Sequence, residues 1–237
     1  ILDNLYSLAT LRQTSEFHGK FSGIPGVVVC PGPSLETNID LLKKIKGKAL
    51  IICVLHALAY LQEKDIEPDI VIQVDPKDLS KDIVKKNGQA SNVWDEWIVK
   101  NDLSKIKYFI TSAYAQPEIF KIPVMNIFWM NAGLPIGKHI PIDIKDYTRV
   151  GGSVAHSAFD ILIEFGCGPI ALVGQDLAYG KEGNAYSVGS AGQLGRKKGD
   201  EFMRNNYGND VQVKGYDGNP VTTSEVFLSF ANLFTIF

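Results

Sequence analysis

The stretch that decides the fold is Gly26-Val-Val-Val-Cys30, followed at once by Pro31-Gly-Pro-Ser-Leu35. A run of β-branched residues too short for a helix predicts a buried strand, and the Pro- and Gly-containing segment after it predicts a tight turn. Ser34 is typical of a helix N-cap, so a helix should follow. This segment therefore predicts the strand–turn–helix unit of a parallel α/β sheet.

The same alternation of short apolar runs and amphipathic stretches continues along the chain. We expect strands at Val27–Cys30, Ala49–Val54, Ile70–Val74, Tyr108–Thr111, Val124–Phe128 and Ile170–Val173. The expected helices are Ser34–Lys46, His56–Lys64, Leu79–Asn87 and Ser153–Phe165. Near-continuous apolar strands imply burial on both faces. The expected fold class is therefore α/β, a Rossmann-like and mostly parallel sheet flanked by helices.

The two ends of the chain differ from this regular middle. Residues 1–25 are expected to form an N-terminal helical segment left from a preceding region, with the Rossmann-like domain over 26–237. Gly174–Gly208 is rich in Gly, Asn and Lys, as expected of a long active-site loop. A C-terminal β-hairpin is expected from Val211–Lys214 and Val221–Thr223, and then a helix over Ser224–Phe237 that reads as truncated at its end.

Composition excludes several classes of protein. The chain has 237 residues, 45% of them hydrophobic, which is enough for one substantial core. The net charge is −2 with Lys and Arg dispersed, so we expect no nucleic-acid partner. No apolar run approaches the roughly 20 residues that cross a bilayer, so no membrane span is expected. Three cysteines without a CxxC pair argue against a disulfide framework and for the cytoplasm.

Ligands of open parallel sheets bind beyond the carboxyl ends of the strands, where loop amides and helix N-termini point. After the first strand, Gly32 allows a ligand to approach the backbone, Pro33 stiffens the turn, and Ser34 can donate to a phosphate oxygen. An ordinary strand-to-helix turn with Ser34 as the N-cap explains the same residues equally well.

Two further segments place polar groups at the same edge. Asp75 follows the third strand and is a candidate for a ribose hydroxyl, a divalent metal or an acceptor, although an Asp before Pro is also a common turn former. A helix is expected to begin after Gly151, Gly152 and Ser153. The glycines either expose backbone amides that can bind an anion or allow the helix to pack closely on the sheet. His156 falls in the first turn, where the helix dipole favours a neutral imidazole, available as a base or as a packing residue.

The densest candidate site follows the last strand, which runs into Gly174-Gln-Asp-Leu-Ala-Tyr179. Gln175, Asp176 and Tyr179 offer three different chemistries at one strand end, directly before the long loop. In the structural alternative, Asp176 caps a turn and Tyr179 packs in the core.

Four segments together resemble a known family: Cys30-Pro-Gly-Pro-Ser-Leu35, Asp75-Pro76, Gly151-Gly-Ser-Val-Ala-His-Ser-Ala-Phe-Asp160, and Gly166-Cys-Gly-Pro-Ile-Ala-Leu-Val-Gly-Gln-Asp-Leu-Ala-Tyr179. They resemble the motility-associated factor (Maf) proteins, bacterial flagellin glycosyltransferases with a DUF115 domain that is similar to Rossmann-like sialyltransferases. The resemblance implies a CMP-activated nonulosonic acid, such as pseudaminic or legionaminic acid, as the donor and a Ser or Thr hydroxyl of flagellin as the acceptor. It implies no tightly bound cofactor and leaves a divalent metal open.

The resemblance also implies roles for the candidate residues. By this resemblance, the phosphate region would be held by Gly32, Pro33 and Ser34. The opposite side of the donor pocket would be lined by Gly151, Gly152 and Ser153, and the residues near the sugar or cytidine would be Gln175, Asp176 and Tyr179. Similar sialyltransferases have a catalytic His after the strand that ends in Gly-x-Asp. Here the histidines are His18, His56, His139 and His156, all earlier in the chain, so Asp176 or His156 is expected to act as the base, or the base lies outside this sequence.

Besides a glycosyltransferase, two other functions remain possible at this point. The same domain family includes archaeal 6-hydroxymethyl-dihydropterin pyrophosphokinases, and this likeness implies ATP and magnesium with carboxylates such as Asp75 as ligands. The third possibility is a non-catalytic module that binds a nucleotide or flagellin.

Overall fold

The structure is a computed structural model that describes residues 2–76, 103–132, 148–149, 151–190 and 197–236, together with 83–86 and 89–92 as strands only. The strands in chain order are β1 (Arg12–Gln13), β2 (Gly26–Val29), β3 (Leu50–Val54), β4 (Ile70–Gln73), β5 (Ile83–Lys86), β6 (Gln89–Asn92), β7 (Tyr108–Ser112), β8 (Ile127–Met130), β9 (Ile170–Val173), β10 (Asp210–Lys214) and β11 (Pro220–Ser224). The helices are α1 (Leu5–Thr10), α2 (Leu35–Ile45), α3 (Leu55–Glu63), α4 (Val154–Glu164), α5 (Glu201–Tyr207) and α6 (Glu225–Leu233).

A seven-stranded parallel sheet forms the centre, in the order β1-β8-β7-β4-β3-β2-β9. The inner strands β2, β3 and β4 are buried along their whole length, which explains their continuous Val and Ile runs. Helices flank the sheet, and β10 and β11 pair as an antiparallel hairpin. The expected α/β, Rossmann-like fold with a C-terminal hairpin is therefore confirmed.

The order of the strands contains one reversal. From β2 the chain proceeds through β3, β4, β7 and β8 in one direction, whereas β9 lies on the other side of β2. The carboxyl ends of β2 and β9 therefore flank a topological switch point. In doubly wound folds this topological switch point is where ligands bind.

Most expected elements lie within one or two residues of their observed bounds, and β9 coincides with the expected Ile170–Val173. The fifth expected strand, Val124–Phe128, begins later, at Ile127. The reason is local, because the N–H of Val124 donates to the carbonyl of Ile122 at 2.8 Å in a tight turn and is not available to the sheet.

The prediction of a helix at Leu79–Asn87 is wrong for the part of it that the structure describes. Residues 83–86 form β5, which pairs with β6 in an antiparallel ladder, and the rest of that expected helix lies outside the described residues. Ile83 and Val84 are β-branched, and the sequence Asn87-Gly88 between the two strands is typical of a tight hairpin. The Asn-Gly pair therefore outweighs the weak helical period before it.

Two segments expected to be irregular or helical contain other elements. The Gly174–Gly208 loop includes α5, which begins where the side chain of Asp200 accepts the N–H of Phe202 at 2.9 Å. The N-terminal segment is helical only over part of its length, and its Arg12–Gln13 pair with β8 as an edge strand. Arg12 and Gln13 thus extend the central sheet. No helix in the described ranges is long and apolar enough to cross a membrane.

Candidate functional site

A cavity of about 550 Å³ opens at the carboxyl edge of the sheet, over the switch point between β2 and β9. Its described lining comes from the loops after β2 and β9, from the ends of β3, β4 and β7, and from the start of α4. The three sequence-distant segments that begin at Gly32, Gly151 and Gly174 all line it. The edge that the sequence analysis singled out is therefore a shared cleft.

The loops after β2 and β9 touch through two glycines. The N–H of Gly32 donates to the carbonyl oxygen of Gly174 at 2.7 Å. A Cβ at Gly32 would overlap that oxygen and Oδ2 of Asp176, and Gly174 itself adopts a left-handed φ of +70°. Only glycine fits this approach of two backbones, so the pair fixes the floor of the crevice.

Asp176 closes the N-terminal end of α2. Its Oδ2 accepts the N–H of Ser34 at 2.9 Å, directly before the helix begins. A carboxylate is favourable here because the N-terminus of a helix carries partial positive charge. Asp176 and Gly32 line the cavity, whereas Pro33 and Ser34 are not among its lining residues. The anion seat expected at α2 is thus taken by a carboxylate of the protein itself.

The start of α4 faces the cavity through Gly151, Gly152 and Ser153. A Cβ at Gly152 would overlap the ring of Phe230, and one at Gly151 would overlap the ring of His156. The two glycines before α4 therefore present only backbone to the cleft, whereas Val154, Ala155 and Ser157 of its first turn line the cavity with side chains. Exposed amides at a helix N-terminus favour an anion.

His156 lies behind the cavity wall and is fully buried. Its Nδ1 is 3.2 Å from the N–H of Ser153 and 3.0 Å from the Ser153 hydroxyl, and its Nε2 is 3.0 Å from the carbonyl oxygen of Phe230. Because a carbonyl only accepts, Nε2 carries a proton, and because Nδ1 accepts the N–H of Ser153, the imidazole is neutral. Burial lowers the pKa of His156, and the hydrogen bonds to Phe230 and Ser153 oppose that shift. The ring ties α4 to α6.

The remaining candidates divide between the rim and the core. Asp75 and Gln175 line the cavity, and Asp75 is exposed at its rim. Tyr179 is buried against Phe227, with ring centroids 6.1 Å apart, and is not among the lining residues. Burial raises the pKa of Tyr179, and Asp210 adds to that shift.

Cys30 also lines the cavity but is buried. Burial, and to a smaller extent the charge of Asp176, raises the pKa of its thiol. The thiol therefore stays protonated and is a poor nucleophile.

His56 is a lining residue that the sequence analysis did not select. It is the second residue of α3, which follows β3 without a loop, and its ring centroid lies 6.5 Å from that of Tyr186. The signal was present, because a polar residue directly after a buried strand lies at the carboxyl edge. The position of His156 in the first turn of a helix predicts a neutral imidazole, but it does not predict whether the side chain reaches the cleft.

One wall of the cavity comes from the chain after residue 182. It is formed by Ala185, Tyr186, Tyr207, Phe227 and Phe230. The rings of Tyr207 and Phe227 lie 5.0 Å apart, and the hydroxyls of Tyr186 and Tyr207 are 3.3 Å apart. No local pattern in the sequence indicated this aromatic wall, since its members meet only in the folded chain.

The chain is a Rossmann-like domain of the α/β class with a cleft at the carboxyl edge of its sheet. The profile of the family described as "6-hydroxymethylpterin diphosphokinase MptE-like" matches residues 1–182, more than half of the chain. The chain therefore belongs to the MptE-like family. The aromatic wall lies beyond the matched residues.

A solved structure with a similar fold is the MAf glycosyltransferase from Magnetospirillum magneticum. The two share 16% sequence identity at a TM-score of 0.61, and the match covers 98% of this chain and 35% of that one. This chain thus corresponds to about a third of that protein's length. No curated protein matches the sequence. The resemblance to DUF115-type proteins is confirmed by the family match, and the resemblance to Maf proteins is confirmed at the level of the fold.

Proposed function

We propose that this chain is the donor-binding domain of a transferase, and that the reaction is glycosyl transfer from a CMP-activated nonulosonic acid to a Ser or Thr hydroxyl of flagellin. The observation that supports this proposal is the convergence of the Gly32, Gly151 and Gly174 segments on one cavity at the switch point. A volume of about 550 Å³ lies in the range of small-molecule sites. The matched third of the MAf glycosyltransferase has a similar fold.

The phosphate of the donor fits the start of α4 better than the start of α2. At α4, the backbone of Gly151 and Gly152 faces the cavity, whereas Asp176 already occupies the end of α2 and would repel a second anion. Transfer breaks the bond between the anomeric carbon and the phosphate oxygen of CMP and forms a bond to the acceptor oxygen. The acceptor proton passes to a base, for which His56 and Asp176 are the lining candidates.

The decisive assay is transfer from CMP-pseudaminic or CMP-legionaminic acid to flagellin, followed by mass spectrometry. We expect the flagellin mass to increase by one sugar, and CMP to raise the melting temperature of the chain because it binds the native state. The free thiols of the chain suit the reducing cytoplasm, where we place this reaction. CMP binding without turnover would favour the non-catalytic module instead.

A second candidate is transfer of a diphosphate from ATP to the hydroxyl of a hydroxymethylpterin, and the family match favours it. Such transfer uses Mg²⁺, which binds through one or two carboxylates and keeps several waters. Asp75 and Asp176 line the cavity and supply oxygens of this kind, although the described residues contain no cluster of three or more metal-ligating side chains. Stabilisation by ATP with magnesium but not by CMP would decide for this reaction.

A further inference from the structure

Two polar side chains of the cavity lack a partner within the described part of the chain. Gln73, the last residue of β4, and Ser157, in the first half of α4, both line the cavity and are each 1% exposed. Neither Nε2 of Gln73 nor Oγ of Ser157 has a hydrogen-bond partner there. Buried polar groups in native proteins are nearly always paired, so two orphans that border one cavity point to a group that enters it.

The same row of the sheet supplies a comparison. Gln73 is in register with Thr111 of β7, which is in register with Trp129 of β8, so the three side chains point to one face. Among the described residues, Thr111 Oγ1 and Trp129 Nε1 are likewise buried and unpartnered, yet neither residue lines the cavity. Thr111 therefore shares the burial and the missing bond of Gln73 but not its access to a ligand.

The chemistry of Gln73 and Ser157 indicates what they bind. Both are neutral donors, whereas the charged residues among the described lining are the acidic Asp75 and Asp176, which do not favour a second anion beside them. The cavity lining also includes the flat rings of Tyr186 and Phe230. Planar faces with uncharged acceptors at their edges are the properties of a heterocycle.

We infer that Gln73 and Ser157 are specificity-determining residues that donate hydrogen bonds to a carbonyl oxygen or ring nitrogen of the ligand's heterocycle. This inference rests on the proposed function, because both CMP and a pterin bring such a group. It assigns the phosphate elsewhere, to the start of α4.

The test is isothermal titration calorimetry on Gln73→Met, with cytidine, CMP, 6-hydroxymethylpterin and inorganic phosphate as probes. We expect whichever heterocyclic probe binds the wild type to bind the variant about 5- to 100-fold more weakly, the loss typical of a buried hydrogen bond. The cytidine and pterin arms identify which heterocycle enters the cavity. Binding of inorganic phosphate should not change.

The matched control is Thr111→Val, which removes an equally buried and unpartnered hydroxyl and should leave every affinity unchanged. Without ligand, Gln73→Met should melt no lower than the wild type, because it loses no bond within the described chain. Ser157→Ala is a smaller change with the same expected loss of affinity, so a poorly folded Gln73→Met does not end the test.

The outcomes separate the inference from the function on which it rests. Equal affinities of wild type and both variants for a heterocycle that binds would overturn the inference alone, as would a loss confined to inorganic phosphate. A loss seen only with CMP, and not with cytidine, would mean that these residues bind the phosphate and would also overturn it. A wild type that binds none of the heterocycles would overturn the proposed function, and the inference with it.

Discussion

Replacement of Asp176 tests both the structure and the chemistry of the cleft. Asp176→Ala removes the acceptor that Oδ2 offers to the N–H of Ser34 at 2.9 Å, at the end of a helix with partial positive charge. Loss of such a capping bond costs about 1 kcal/mol, and loss of the favourable charge adds about 0.5 kcal/mol. We therefore expect urea unfolding to show a free energy of unfolding lower by about 1.5 kcal/mol, with the fold retained.

Asp176→Asn separates the two contributions. The amide keeps an oxygen for the Ser34 N–H but loses the charge, so the expected cost falls to about 0.5 kcal/mol. In the transfer assay, Asp176→Asn should be inactive if the carboxylate accepts the proton of the acceptor hydroxyl. It should retain activity if Asp176 only holds the loop.

Ser34→Ala is the matched control, because Ser34 contributes its backbone N–H to this contact and makes no side-chain cap. It should change neither stability nor transfer appreciably. Wild-type stability of Asp176→Ala would refute the capping contact, and wild-type transfer by it would remove the residue from the mechanism.

Three further predictions concern other parts of the molecule. Gly152→Ala should lower the free energy of unfolding by about 1–3 kcal/mol because its methyl would overlap the Phe230 ring; Phe230→Leu in the same chain should recover part of that loss, and full additivity would contradict the overlap. Stability should fall as the pH drops below about 6.5, since burial lowers the pKa of His156 and the unfolded chain takes up the proton first. His156→Gln should flatten that part of a plot of unfolding free energy against pH, and an unchanged slope would assign the effect to another group. Of the three thiols, half-buried Cys167 should react first with a thiol reagent, and equal rates at all three would show that the two buried ones are accessible.

The sheet was predictable where burial leaves a mark on sequence. β3 lies within one residue of its expected bounds because Leu50–Val54 is a fully buried apolar run. β1 had no such mark, since Arg12 and Gln13 join β8 through backbone pairing that does not depend on their side chains. Likewise α5 is a short helix within a Gly-rich stretch, and its Asp200 cap is a weak signal in isolation.

The rim of the site was predictable for a topological reason, because parallel strands bring their carboxyl ends to one edge. What could not be predicted is which rim residues contact each other. The bond between Asp176 and Ser34 joins residues 142 positions apart, and His156 turned out to contact Phe230, 74 positions away. Such partners are set by tertiary packing, which local pattern does not encode.

The cavity is built from residues inside the family match and from residues after it. All seven strands of the sheet lie before residue 182, but Tyr186, Tyr207, Phe227 and Phe230 come after it. A fragment that stopped at the matched residues would keep the polar floor and leave the cleft open along one side. Exchange of the segment after 182 between relatives is therefore the most direct way to give one scaffold a different ligand preference.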